Sequence, residues 1–195
     1  MSSFYYLGVG VVSLAISIYN FEVSSKGNGV KTTDAAGLDA SNIFPTIGLI
    51  LAISYILILV LSIFLSCVIN ALSNQLPEDY LNMGKCKRFL ACFCKIFPPV
   101  LIILSWINFI LIIVIWIMLV VNKDFKYTDE KTGTENTDYE GDVKVLNLVN
   151  SIAWILLHYG GAVVRDMTYQ EPFMYSPDTG EPNCFRTLFL KKLGP

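Results

Sequence analysis

Apolar residues in this chain collect into long runs that polar segments separate. Two of the runs contain no charged side chain, one between Asp39 and Glu78 and the other between Lys95 and Lys123. A helix that crosses the hydrocarbon core of a bilayer needs about 20 mostly apolar residues. Both runs exceed that length, so the pattern predicts two transmembrane helices. Two shorter apolar runs, one at the start of the chain and one after the last acidic loop, predict two more.

The predicted fold is all-α, an integral membrane four-helix bundle with short polar loops. In lipid, a helix satisfies every backbone hydrogen bond within its own segment, which is why spans of this length favour helices. We expect the bundle to occupy residues 1–166 as one unit and a cytoplasmic tail to occupy residues 167–195. The four predicted spans cover about 4–21, 46–70, 99–121 and 145–164.

The first span has an alternative interpretation as a cleaved signal peptide. Such a peptide begins with a positively charged segment and ends at a small-residue cleavage site. The opening MSSFYY has no basic residue, and no A-x-A-like site follows it. An uncleaved membrane anchor is therefore favoured.

The connecting segments are polar and of modest length. Glycine, serine and threonine are frequent between the first two spans, which predicts a mobile loop there. The segment between the third and fourth spans is polar and acidic. Neither is long enough to fold as a domain, and neither contains a cysteine for a disulfide that would brace it.

Composition supports the membrane class and narrows the partners. Hydrophobic residues make up 54% of the 195 residues and charged residues 15%, with a mean hydropathy of +0.55. Soluble domains usually carry about 25% charged residues. A net charge of −2 argues against a nucleic acid partner, because phosphate binding needs a basic face.

Residues that could carry catalysis or bind a metal are sparse. His158 is the only histidine, and the five cysteines lack zinc-ligand spacing. Neither a P-loop nor a nucleophile elbow is present. No charged residue lies in the middle of a predicted span, where proton relays and ion pathways usually depend on one. The sequence therefore predicts a protein without enzymatic activity, cofactor or metal.

Basic residues set the predicted orientation. In a four-span chain the second loop and the tail lie on one side, and together they carry eight of the 14 basic residues. The excess of lysine and arginine in short loops marks the cytoplasmic side. Both termini are therefore predicted to be cytoplasmic, in the plasma membrane or an endomembrane.

Two features of that side are candidate sites of membrane attachment. Cys86, Cys92 and Cys94 lie among basic and aromatic residues before the third span, and Cys184 lies in the tail. Cysteines beside a span are typical sites of palmitoylation. The alternative is that they serve only as small apolar side chains. The ending NCFRTLFLKKLGP would be amphipathic as a short helix, suited to lie on the cytoplasmic leaflet or to pack on the bundle's own end.

The fourth span carries a polar stripe at helical spacing. Its members are Asn147, Ser151, Trp154, His158 and Gly161. Small and weakly polar residues at such spacing are what close helix packing in lipid requires. The same stripe would suit the lining of a pore, and packing is the favoured interpretation.

The function predicted from these patterns is non-enzymatic. We expect an accessory, scaffold or junction- or trafficking-type tetraspan subunit, with the bilayer and either other membrane proteins or further copies of itself as partners. The alternative is a small channel or transporter subunit that forms a pore as an oligomer.

Overall fold

The computed structural model describes residues 2–34, 37, 39–72, 85–121 and 125–169. Over these residues the chain forms four helices and two short strands, in agreement with a mostly helical, all-α class. The elements are α1 (Ser2–Gly27), β1 (Val30–Thr33), α2 (Ile43–Leu72), α3 (Lys85–Val121), β2 (Lys126–Asp129) and α4 (Thr137–Tyr169).

Three of the described helices are long and apolar enough to cross a membrane. Their apolar stretches are Phe4–Gly27, Ile43–Leu72 and Ile96–Val120. Each corresponds to one of the first three predicted spans, so the chain has the make-up of a membrane protein. The fourth predicted span lies in α4, which is not one of the three within the described residues.

Three helices extend beyond their predicted spans into polar sequence, and the extensions of α3 and α4 are the longest. α3 begins at Lys85 rather than near residue 99, and Pro98 and Pro99 lie inside it. Prolines usually mark a helix boundary because they lack the backbone donor and crowd the preceding turn. α4 begins at Thr137 rather than near residue 145 and continues to Tyr169, so the predicted start of the tail at residue 167 falls within a helix.

The early start of α4 has a local cause. Asn136 precedes the helix, and its Oδ1 accepts a hydrogen bond from the backbone N–H of Tyr139 at 2.9 Å. This N-cap satisfies a donor that the first turn leaves free. One turn later Lys144 pairs with Glu140 at 2.6 Å, four residues apart on the same face.

The segment after the first span, predicted as a mobile loop, contains secondary structure that the sequence did not predict. α1 continues to Gly27, and β1 pairs antiparallel with β2, with Val30 opposite Asp129 and Thr32 opposite Tyr127. Val30 and Thr32 are buried while the intervening Lys31 is exposed, as a half-buried strand requires. The loops that follow α1 and α3 therefore meet at one end of the bundle.

The four helices form a ring in chain order, with α1 packed against α2 and α4, and α3 packed against α2 and α4. The core runs along the centre of this ring and beneath the sheet. Its fully buried large side chains include Leu51, Tyr55, Leu65, Ile115 and Leu146. Polar residues share this interior, and they form the candidate site.

Candidate functional site

The predicted stripe on α4 contacts α3 through Ser151. The indole Nε1 of Trp116 on α3 donates to Ser151 Oγ at 3.1 Å. The Ser151 hydroxyl in turn donates to the backbone carbonyl of Asn147 at 2.7 Å. Ser151 thus uses both its donor and an acceptor position within the bundle.

Trp154 and His158 continue the stripe as an aromatic stack. The Trp154 ring lies parallel to Phe109 of α3, with centroids 4.1 Å apart. His158 stacks on Trp154 at 5.1 Å, and the edge of Trp106 meets the histidine ring at 5.3 Å. Stacked and edge-to-face pairs of this kind stabilise beyond the area they bury. Rings from both helices fill the α3–α4 seam at this level.

Asn147 and Gly161 complete the predicted stripe. Asn147 is fully buried, and neither its Oδ1 nor its Nδ2 has a hydrogen-bond partner within the described part of the chain. Gly161 belongs to α4 by its backbone, and its surroundings lie outside the described residues. The structure therefore brings Ser151, Trp154 and His158 to the α3–α4 seam. The buried amide of Asn147 lies one turn before Ser151 on the same helix.

A pair of asparagines that the sequence interpretation missed joins α1 to α4. The side-chain amides of Asn20 and Asn150 donate to each other's Oδ1, both at 3.1 Å. Each Nδ2 also donates to the carbonyl four residues earlier, Asn20 to Ile16 and Asn150 to Leu146, both at 2.8 Å. The two fully buried side chains satisfy each other. An asparagine inside an apolar run is the only signal that the sequence offers for such a pair.

The α1–α2 seam is built from small residues. Ser17 donates to the carbonyl of Ala52 at 2.9 Å, and Ser24 donates to that of Pro45 at 2.7 Å. A Cβ added at Gly48 would lie 3.3 Å from Ser24 Cβ, so the backbones approach closely there. This is the packing mode expected of helices in lipid.

A small cavity lies among the four helices at the end opposite the sheet. Its volume is about 40 Å³, and its lining is mostly apolar with Ser105 and His158 among the wall residues. Ser105 Oγ and His158 Nδ1 are buried without a partner in the described chain. A buried water needs about 10–15 Å³ and polar neighbours, so this cavity is of water size.

The sheet end of the bundle is held by charge and by ordered turns. Lys26 of α1 contacts Asp142 of α4 at 2.9 Å and Glu22 at 3.1 Å. Backbone N–H groups of Thr132 and Lys131 donate to Asp129 and lower its carboxyl pKa. These contacts fix the turn after β2.

Two tyrosines form the floor of that end. Burial raises the pKa of Tyr127 to about 12, with a smaller effect from the charge of Glu140. Burial also raises the pKa of Tyr139 well above its usual value. The rings of Tyr127 and Tyr139 meet edge-to-face at 5.8 Å, and Tyr127 also contacts Phe44 at the start of α2. The sheet thus rests on a layer of aromatic side chains from α2, β2 and α4.

The predicted acylation sites fall at the margin of the described structure. Cys86, Cys92 and Cys94 lie on α3 by their backbone, and their side chains are outside the described residues. Cys184 lies outside them as well. Among the described residues, no group of three His, Cys, Asp or Glu side chains is placed to hold a metal ion.

Comparisons with protein-family models, with curated proteins and with solved structures found no match to this chain. The candidate site therefore has to be interpreted from its own geometry.

Proposed function

We propose that the protein is a four-span membrane protein that acts through contacts, as an accessory, scaffold or junction- or trafficking-type subunit, and that it is not an enzyme. The observation that carries the proposal is that side chains of the polar stripe on α4 pack against α3. Ser151, Trp154 and His158 are engaged with α3 side chains. Side chains committed to packing stabilise the bundle and leave its outer faces to bind other membrane components.

The length over which α4 packs beside α1 supports a fourth span. Near one end of the bundle Tyr5 lies against Gly160, and at the other end Lys26 pairs with Asp142. From Tyr5 to Lys26 a helix rises about 32 Å at 1.5 Å per residue. The hydrocarbon core of a bilayer is about 30 Å thick. α4 runs antiparallel to α1 over this distance, so a membrane that α1 crosses is crossed by α4 too.

The outward face of α4 fits the same arrangement. Large apolar side chains cover it from one end to the other, and lipid is their natural environment. The exposed members are Val145, Leu148, Ile152, Ile155, Leu156 and Tyr159. The polar residues that lower the apolar content of this helix lie in its first and last turns and on its inner face.

The proposed orientation places both termini in the cytoplasm. The two loops that meet in the sheet would then face the opposite side, and the basic second loop would contact anionic lipid. Palmitoylation of Cys86, Cys92, Cys94 or Cys184 and an amphipathic tail would add attachment on the cytoplasmic leaflet. A tag after Pro195 and a tag near Met83 should be equally accessible to protease in sealed vesicles. Opposite accessibility would contradict the four-span arrangement.

The second candidate is a pore formed by an oligomer, and one observation favours it. Buried polar atoms without partners lie at several heights of the described bundle, among them those of Ser105, Asn108 and His158. Such atoms call for an explanation, and water is one. The cavity beside Ser105 and His158 measures about 40 Å³, however, which limits what one bundle could pass.

Flux measurements on purified protein in liposomes separate the two functions. We expect no protein-dependent ion current, and we expect His158→Gln to change stability only modestly. A reproducible current that disappears in His158→Gln would establish the pore instead. Cross-linking after mild detergent extraction then tests the favoured function, which requires a stoichiometric protein partner.

A further inference from the structure

An open groove lies where the end of α1 faces the start of α2. One wall consists of Phe21, Ser24 and Ser25 on α1 and of Asn28 just after it, and the other of Asn42 just before α2 and of Pro45, Thr46 and Leu49 on α2. The three helical residues of each wall share one face of their helix. We call this the α1–α2 groove; its volume is about 250 Å³.

The groove changes from apolar to polar along its length. Because the two helices run antiparallel, Phe21 and Leu49 form the end nearer the bundle centre, and both are exposed, at 60% and 41%. Asn28 and Asn42 form the end nearer the sheet. The apolar end continues into the exposed apolar face of α1, whereas the polar end lies at the level where α1 ends.

The base of the groove is fixed by contacts already within the fold. Ser24 donates to the carbonyl of Pro45 at 2.7 Å, which ties the two walls together. The remaining polar side chains, on Ser25, Asn28, Asn42 and Thr46, are exposed, and within the described residues they make no hydrogen bond to the rest of the chain. They are available to a ligand.

The lining of the groove carries no charge. The nearest charged residues on α1, Glu22 and Lys26, lie on another face, where Lys26 pairs with Asp142 of α4. A phosphate group is bound by cationic side chains, and a quaternary ammonium by aromatic rings. Hydroxyl and amide side chains, which both donate and accept, instead match a ligand rich in hydroxyl groups.

We propose that the α1–α2 groove binds a membrane lipid with a neutral, hydroxyl-rich headgroup, such as a sugar, in the leaflet on the sheet side. The headgroup lies against Ser25, Asn28, Asn42 and Thr46, and the first part of the acyl chain passes Phe21 and Leu49. An apolar cavity of about 150 Å³ holds a benzene ring, so 250 Å³ accommodates one substituted six-membered ring. The site rests on the proposed function in that α1 and α2 must span the bilayer.

Photo-cross-linking in phosphatidylcholine nanodiscs tests the site. The probe is galactosylceramide with a diazirine near the start of its acyl chain. We expect cross-links on peptides that contain Phe21 or Leu49, and we expect unlabelled galactosylceramide to compete while added phosphatidylcholine does not. Equal competition by phosphatidylcholine would overturn the headgroup assignment. Competition by methyl galactoside at the same concentration would overturn the lipid assignment, because it would identify a soluble-sugar site.

Substitutions in the groove provide the second readout. Asn28→Leu combined with Thr46→Val removes two neutral hydrogen-bonding groups, each worth about twofold to tenfold in affinity, so the cross-link yield should fall at least about fourfold. Thr137→Val, the same threonine change at an exposed position at the start of α4, should leave the yield unaltered. An unchanged yield in the double variant would overturn the proposal.

Protease accessibility of the two cytoplasmic tags is measured on the same samples. If the tags behave as expected and the cross-link does not form, the lipid site fails while the four-span arrangement stands. If the tags lie on opposite sides and the cross-link still forms, the four-span arrangement fails while the lipid site stands, because the site requires only that α1 and α2 span the bilayer.

Discussion

The two antiparallel helix pairs of this bundle are packed by different means. α1 and α2 approach through glycine and serine, and their serine hydroxyls donate to backbone carbonyls of the neighbouring helix. α3 and α4 instead meet through indole, phenyl and imidazole rings. Small residues permit close backbones and van der Waals contact along the helices. Rings hold the backbones further apart and make the seam depend on a few large contacts.

The largest expected effect is at the close α1–α2 contact. A Cβ at Gly48 would already lie 3.3 Å from Ser24 Cβ and 3.4 Å from the carbonyl oxygen of Asn20. Gly48→Leu should therefore force the helices apart and lower the free energy of unfolding by about 3 kcal/mol or more, the upper range for overpacking. Reversible unfolding in mixed detergent and SDS micelles measures the change.

Gly8→Leu is the matched control for that change. Gly8 lies on α1, and a Cβ there would meet nothing within 4 Å. It should leave stability unaltered within about 0.5 kcal/mol, the usual range for exposed substitutions. Equal destabilisation by both variants would mean that the loss at Gly48 does not come from its close contact with α1.

The sheet connects the two pairs, since β1 follows α1 and β2 follows α3, and its stability should depend on pH. Burial raises the pKa of Tyr127 to about 12, whereas an unfolded tyrosine titrates near about 10. The folded sheet end therefore keeps this contribution in full below pH 10 and loses it as the pH rises through 12. The loss should approach about 2 kcal/mol, because each unit of pKa difference corresponds to about 1.4 kcal/mol and solvent at the sheet end screens part of the effect.

Amide hydrogen exchange at Lys31 and Thr33, whose strand pairs with β2, is suited to measure this loss. Protection should fall above pH 10 after correction for the intrinsic exchange rate. Tyr127→Phe removes one ionisable group while keeping the ring, and it should reduce that dependence. The part that persists is expected from Tyr139, whose pKa burial also raises, and a dependence that Tyr127→Phe leaves unchanged would contradict the assignment to Tyr127.

Substitutions of the buried pair Asn20 and Asn150 should have an intermediate effect on the free energy of unfolding. Asn20→Leu should cost about 1–3 kcal/mol, because it leaves the amide of Asn150 buried without its partner. Asn150→Leu should cost a similar amount. The double variant replaces both amides with apolar groups and should be more stable than either single one. A simple sum of the two losses would show that the amides act independently.

The sequence predicted the helices far better than their contacts. The first three spans follow from the length of apolar runs, because a bilayer selects segments of fixed length. The stripe on α4 was also visible, since its spacing places one residue on the same face every three or four positions. These are properties of one helix at a time.

The missed features depend on contacts between distant parts of the chain. Val30 and Asp129 pair with each other although they belong to two different polar connecting segments. Neither segment contains an alternating apolar pattern long enough to predict a strand. Asn20 and Asn150 lie 130 positions apart, and only the ring order of the helices brings them together. The predicted third span begins at residue 99, whereas α3 begins at Lys85 and continues through Pro98 and Pro99. A local sequence pattern does not contain the tertiary contacts that determine strand pairing, buried side-chain pairs and the ends of helices.

The smallest expected effect tests the aromatic seam itself. Trp154 stacks on Phe109 at 4.1 Å and on His158 at 5.1 Å, and each such pair is worth about 0.5–1.5 kcal/mol. Because lipid takes up the apolar surface that a truncation exposes, Trp154→Ala should cost only about 1 kcal/mol in detergent–lipid micelles. Ile155→Ala, one position further on the exposed face of α4, should cost nothing measurable. If Trp154→Ala is as harmful as Gly48→Leu, the ring seam is as constrained as the close seam, and the contrast between the two helix pairs fails.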